Sequence, residues 1–129
     1  MPSDPIFVAK TFFAHWSENR LDEALSMLAD DVLYDNVPFP DIVGRDNVRN
    51  FHETFGIGTT FKVDWQVTHL AAAGNVVPNE RLDIFRHRDG GEISLPVMGT
   101  LTVVDGEITV WRDYFDPADF ERQLAGIQG

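Results

Sequence analysis

The chain contains no cysteine, which excludes disulfides, thiolate metal sites and cysteine nucleophiles and is compatible with a reducing cytoplasm. Basic residues are scarce: ten Lys and Arg stand against 21 Asp and Glu, for a net charge of −11. Phosphate binding needs a basic stripe, so a nucleic-acid partner is disfavoured and the acidity is expected to serve solubility. No apolar run approaches the ~20 residues of a membrane-spanning helix. The opening MPSDPIFVAK lacks the basic region and long apolar segment of a signal peptide. A soluble, cytoplasmic protein with no nucleic-acid or membrane partner is therefore expected. The four histidines stand apart with no recurring ligand spacing, so no metal site is expected.

What the chain does have is apolar bulk: 43% hydrophobic residues, with ten phenylalanines. At 129 residues it reads as one domain, 1–129, long enough to bury roughly two-thirds of its unfolded surface. No linker, internal repeat or low-complexity tract interrupts it. Ser3-Asp4-Pro5 reads as a helix start with Ser3 as the cap, and Val8, Phe12, Phe13 and Trp16 follow on a helical stripe. Asn19 is expected to open a second helix carrying Leu21, Leu25 and Leu28. After a short strand with Tyr34 and Asn36, Pro38 and Pro40 stiffen the segment from Val37 to Gly44, which reads equally as a pocket wall or a plain connector. Asp46 to Phe55 reads as a third helix with Val48, Phe51, His52 and Phe55 inward, stopped by Gly56. From Phe61 to His69, alternation puts Phe61, Val63, Trp65, Val67 and His69 on one face, which makes His69 a core residue. Strands from Val76 to His87, about Glu92 to Val104, and Glu107 to Phe115 form a meander, turning at Asp89-Gly90 and Asp105-Gly106. Asp116-Pro117 starts a last short helix. Helices grouped ahead of such strands predict an α+β fold, a curved antiparallel or mixed sheet wrapped around three to four helices.

Arg81 and Asp83 share a strand face with Val77 and Phe85, while Leu82 and Ile84 point the other way. Trp111, Asp113 and Phe115 likewise share a face, as do Val32, Tyr34 and Asn36. Taken alone, an Arg–Asp pair is a weak surface contact. If the three faces converge, they form an apolar pocket with Tyr34, Asn36, Arg81, Asp83 and Asp113 at its bottom. Two carboxylates there, with a cation between them, do not ionise independently, so an acid and a base stand ready together. Tyr34, Asn36 and an ionised Asp have the groups to fix one water molecule. A water beside a base, facing an acid, suits the opening of a strained neutral ring, and epoxide hydrolysis fits without metal or cofactor. A covalent aspartyl-ester route would need a histidine water activator and a longer α/β scaffold, and the sequence shows neither. Leu82 and Ile84 need cover on the opposite face, which predicts a two-fold homodimer.

Three motifs occur in order: Tyr34-Asp35-Asn36 with Pro38, Pro40 and Gly44-Arg45-Asp46; Glu80-Arg81-Leu82-Asp83; and Trp111-Arg112-Asp113-Tyr114-Phe115-Asp116. Together they resemble the limonene-1,2-epoxide hydrolases, within the nuclear-transport-factor-2-like (NTF2-like, SnoaL-like) superfamily of cone-shaped folds. The similarity in element order runs from about Pro5 to Leu124. The resemblance implies a homodimer that needs no cofactor and hydrolyses a small apolar epoxide, cyclic or terpene-like, to a vicinal diol in one step. It implies Asp113 as general base on the water, Tyr34 and Asn36 as water-binding groups, Asp83 as general acid and Arg81 as the bridge between the acids. Two departures, the acidic Asp35 and a shorter N-terminal segment, imply a different pocket edge and floor. Expected walls are Val32, Phe39, Trp65, Phe85, Leu95, Val97, Trp111 and Phe115, each of which reads equally well as plain core. Two rival readings use the same fold: proton transfer on an enolisable ketone, as in ketosteroid isomerases and polyketide cyclases, and non-catalytic binding of a small molecule.

Overall fold

Asp4 starts the first helix: its side chain accepts a hydrogen bond from the Ile6 N–H at 2.9 Å, and Pro5 takes the first helical position. The computed structural model describes residues 4–37 and 39–128, so the expected cap Ser3 and the loop residue Pro38 lie outside the described residues. Helix α1 (Pro5–Ser17) buries Val8, Phe12, Phe13 and Trp16. Asn19 does not cap the next helix. It adopts a left-handed backbone, φ 59°, and its side chain instead bonds the backbone of Val63, accepting from N–H at 2.9 Å and donating to the carbonyl at 3.2 Å. An amide that pairs with a strand edge satisfies two backbone groups at once, where a cap would satisfy one. Helix α2 (Leu21–Ser26) is short, and Leu28 belongs to the strand that follows.

Six strands form one mixed sheet in the order β2-β1-β6-β5-β4-β3. They are β1 (Leu28–Val37), β2 (Ile42–Val43), β3 (Phe61–Leu70), β4 (Val76–His87), β5 (Glu92–Val104) and β6 (Glu107–Tyr114). All pairings are antiparallel except β1 with β6, which is parallel. Helix α3 (Arg45–Phe55) packs on β1 and β2, and α4 (Pro117–Gln128) packs on β5. Strand β2 lies inside the segment read as a loop; two residues are too few to leave a period in the sequence.

The alternation expected along β3 breaks near its end. A bulge between Val67 and His69 shifts the register against β4: Val67 still stands beside Arg81, but His69 falls beside Glu80 and turns out, so it is not core. Its side chain is 81% exposed and pairs with Glu80 at 2.6 Å. An extra residue on one strand of a pair reverses the facing of everything beyond it. The turn at Asp105-Gly106 has positive φ at both residues, 52° and 81°, as the primed hairpin type requires. Among the described residues no helix is long and apolar enough to cross a membrane.

Candidate active site

The sheet brings the polar residues together by register. Asn36 on β1 stands beside Asp113 on β6, Asp113 beside Gly99 on β5, and Gly99 beside Asn79 on β4. Along β4, Arg81 and Asp83 continue the same face, opposite Val97 and Leu95. Gly99 is the missing side chain in that row. A methyl group there would overlap Asp113 Oδ1 and lie 2.5 Å from the Arg112 carbonyl oxygen. The gap above Gly99 is what lets Arg81 on β4 reach across β5 to Asp113 on β6.

Arg81 is completely buried. Its Nε and Nη2 donate to the two oxygens of Asp83, both at 3.0 Å. Its Nη2 and Nη1 donate to those of Asp113, at 3.0 and 3.1 Å. The remaining Nη1 hydrogen goes to Asn79 Oδ1 at 2.6 Å, so all five N–H groups are used. The Phe13 ring lies 4.5 Å from the guanidinium carbon, within cation–π range. Burial opposes the charge on Arg81, but Asp113 and Asp83 outweigh it and raise its pKa. Burial, more than the Asp113 charge, pushes the Asp83 carboxyl above its usual range against the pull of Arg81. Asp83 is therefore biased toward holding a proton.

Both carboxylates face a cavity of about 410 Å³, with Tyr34 and Asn36 at the same end. Of the expected walls, Phe39, Trp65, Phe85, Leu95, Val97 and Phe115 line it; Val32 and Trp111 do not. Both of these are fully buried, and Trp111 acts from beneath, stacking on Tyr34 at 4.2 Å between ring centres. Phe39 gives the proline segment its wall. Asp35 points away from the cavity and pairs with Arg112 at 2.9 Å. Phe51 and Phe55 on α3 and Phe120 and Leu124 on α4 also line the cavity. Their inward spacing is visible in the sequence, but which cavity they close depends on helix placement that periodicity does not carry.

The sequence reading gives no role to two polar residues of the site, although it places one of them, His52, on the inward face of its helix. Asn79 is on the Arg81–Asp83 face by simple alternation, two residues upstream. His52 lies on α3, 3% exposed. Its Nδ1 donates to the Val48 carbonyl at 2.9 Å, so its Nε2 lone pair faces the Tyr34 hydroxyl, which donates across 3.5 Å. Burial lowers the His52 pKa to about 4, keeping the ring neutral. Tyr34 stays a phenol, since burial and the Asp113 charge raise its pKa. With its hydrogen committed to His52, the Tyr34 oxygen is left to accept. A polar end that offers carboxylates, an amide and a phenol oxygen to a largely aromatic and aliphatic chamber suits one ordered water and one apolar molecule.

A family model described as the limonene-1,2-epoxide hydrolase catalytic domain matches residues 3–125. Epoxide hydrolase EphG of Mycobacterium tuberculosis is 33% identical over 107 residues, 82% of this chain and 70% of that protein. The solved structure of an M. tuberculosis epoxide hydrolase like the limonene-1,2-epoxide hydrolases is similar at 27% identity, with a TM-score of 0.82 over 95% of this chain and 91% of that one. A candidate polyketide cyclase from Xanthomonas campestris has the same TM-score over 96% of this chain and 99% of that one, at 18% identity. That last likeness is one of fold alone, and the fold is NTF2-like.

Proposed function

The chain belongs to the limonene-1,2-epoxide hydrolase family, and from that premise we propose that it converts a small apolar epoxide, cyclic or terpene-like, to a vicinal diol by direct attack of a bound water. The observation that carries the proposal is one guanidinium gripping two carboxylates from different strands, both facing an aromatic cavity. Asp113 takes a proton from the water held by Asn36 and Tyr34 as its oxygen attacks an epoxide carbon. The carbon–oxygen bond of the ring breaks, and Asp83 gives its proton to the leaving oxygen. The negative charge thereby moves from Asp113 to Asp83 while Arg81 touches both, so no anion is left unpaired in the apolar site. The raised pKa of Asp83 supports its role as the acid. Nothing in this sequence of steps calls for a metal or cofactor.

The test is consumption of limonene oxide and cyclohexene oxide in heavy-oxygen water under single turnover, with Asp113→Asn alongside. The expected result is diol carrying the label on the first turnover, and a loss of at least about a hundredfold in the variant. Absence of turnover with any epoxide overturns the proposal. Proton transfer on an enolisable ketone would then be the reading to examine, although it needs Tyr34 as a hydrogen-bond donor to an oxyanion and that hydrogen is engaged by His52.

We also propose a two-fold homodimer formed through the sheet face opposite the cavity. Leu82 stands beside Pro96 and Met98 beside Tyr114 on that face, and Met98 and Tyr114 are half exposed, at 53% and 51%. Large apolar side chains in register on an open sheet suit a second copy of the same surface. Sedimentation should give a dimer for the wild type and a monomer for Met98→Lys; a monomeric wild type at micromolar concentration overturns this.

A further inference from the structure

Arg81 serves two anions at once, and its grip on them depends on where its plane lies. Four of its N–H groups are directed at Asp83 and Asp113. The fifth points back along β4 to Asn79. The Asn79 amide cannot be turned over, because its Nδ2 donates to the Val77 carbonyl at 3.1 Å and so its oxygen must face the guanidinium. Asn79 is 2% exposed and does not line the cavity; it meets neither water nor an occupant of the chamber.

We infer that Asn79 is a positioning residue, which sets the plane of the Arg81 guanidinium and thereby divides its charge between Asp83 and Asp113. This rests on the proposed acid and base roles of those two residues. Three features make the arrangement specific. The acceptor is short and fixed at its far end, so it holds Nη1 at one point rather than along an arc. It is neutral, so the positive charge is spent on the two acids alone; a carboxylate there would be a third claimant. It stands beside Gly99, whose missing side chain leaves the guanidinium no wall on that side, so this polar anchor adds a neutral restraint to those from the two carboxylates and the Phe13 ring. The ionisable groups that act on Arg81 are Asp83 on its own strand and Asp113 on β6, with Tyr34 on β1 beyond them and neutral His52 on α3 behind Tyr34; α1 contributes the Phe13 ring, and Val97 and Gly99 are the β5 residues in register with Arg81 and Asn79.

The variants are Asn79→Leu, which keeps the size and removes the acceptor, and Asn79→Asp, which keeps the acceptor and adds a charge. With cyclohexene oxide, Asn79→Leu should lower kcat about tenfold to a hundredfold and leave KM within about twofold, since the residue lines no part of the cavity. Its kcat/KM profile should lose activity at a higher pH on the acid side, because a guanidinium that is free to tilt stabilises the ionised pair less. Asn79→Asp should move the same limb upward with the hydrogen bond retained, and it also serves where Asn79→Leu does not fold. Carbon-13 spectra of the aspartate carboxyls, followed against pH, read the pair without substrate. A displaced titration of Asp83 and Asp113 in the variants supports the inference even where wild type turns over no epoxide, a result that would instead overturn the proposed function. A lower melting temperature with kcat, pH profile and carboxyl titration all unchanged would make Asn79 merely structural and overturn the inference.

Discussion

Gly99→Ala is expected to slow diol formation by at least about a hundredfold while leaving a folded protein. The added methyl group would overlap Asp113 Oδ1 and press on the Arg112 carbonyl. Neither can yield freely: the carbonyl belongs to the paired β6 backbone, and the carboxylate is held in a fork by Arg81. The side chain can escape only by rotating out of that fork, which moves the base away from Asn36 and the water. Displacements of about 1 Å at a reacting group cost on the order of a hundredfold, and overpacking of this kind costs about 1–3 kcal/mol of stability. The check is kcat together with thermal melting. A variant with kcat within twofold of wild type would show that Asp113 does not need the space above Gly99.

The second large effect concerns Arg81. Arg81→Met fills much of the same volume but leaves two buried carboxylates facing each other without a cation. Removing one partner from a buried ion pair costs about 3–5 kcal/mol, a large part of the about 5–15 kcal/mol that holds a domain folded. Turnover should be lost with it. The pH dependence gives the signature. In wild type, neutral His52 has a folded pKa near 4 against about 6.5 unfolded. Between those values the unfolded chain binds the extra proton, so stability falls as the pH is lowered, by up to roughly 3 kcal/mol in all. The variant shares that loss but enlarges the opposite contribution that Asp83 already makes in wild type: its unpaired carboxyls hold protons more tightly folded than unfolded, so acid relieves the penalty. The stability gap between wild type and Arg81→Met, measured by denaturant unfolding, should therefore be widest near pH 8 and narrow toward pH 5. A gap that stays constant with pH would mean that the carboxylates find other partners.

The sequence made the strand-borne residues legible because strand period is strict. Arg81 and Asp83, Trp111 and Asp113, and Tyr34 and Asn36 fall on shared faces by alternation, and the sheet register then places them side by side. Where the period was disturbed, the reading went wrong: at the bulge after Val67, at Asn19, whose amide serves a strand instead of a helix, and at two-residue β2. Gly99 and Asn79 show a different limit. Both act across strands, and neither a missing side chain nor a neutral amide looks functional until the neighbours on β4 and β6 are known. His52 required the placement of α3 over β1, which no local pattern encodes.

The parallel pairing of β1 with β6 bears on how the protein is made. Asn36 and Asp113 meet in the strand pair that is most distant in sequence, so the water-binding amide is synthesised well before the base it works with. As the chain emerges from the ribosome, β1 can pair with β2 but must wait with its other edge open until nearly the whole sequence has been translated. Distant pairings of this kind form slowly, and an open strand edge invites pairing with other chains. Along that waiting edge the chain carries Asp30, Asp31 and Asp35. Like-charged carboxylates there repel a second nascent chain, so part of the protein's acidity guards the interval before its last strand arrives.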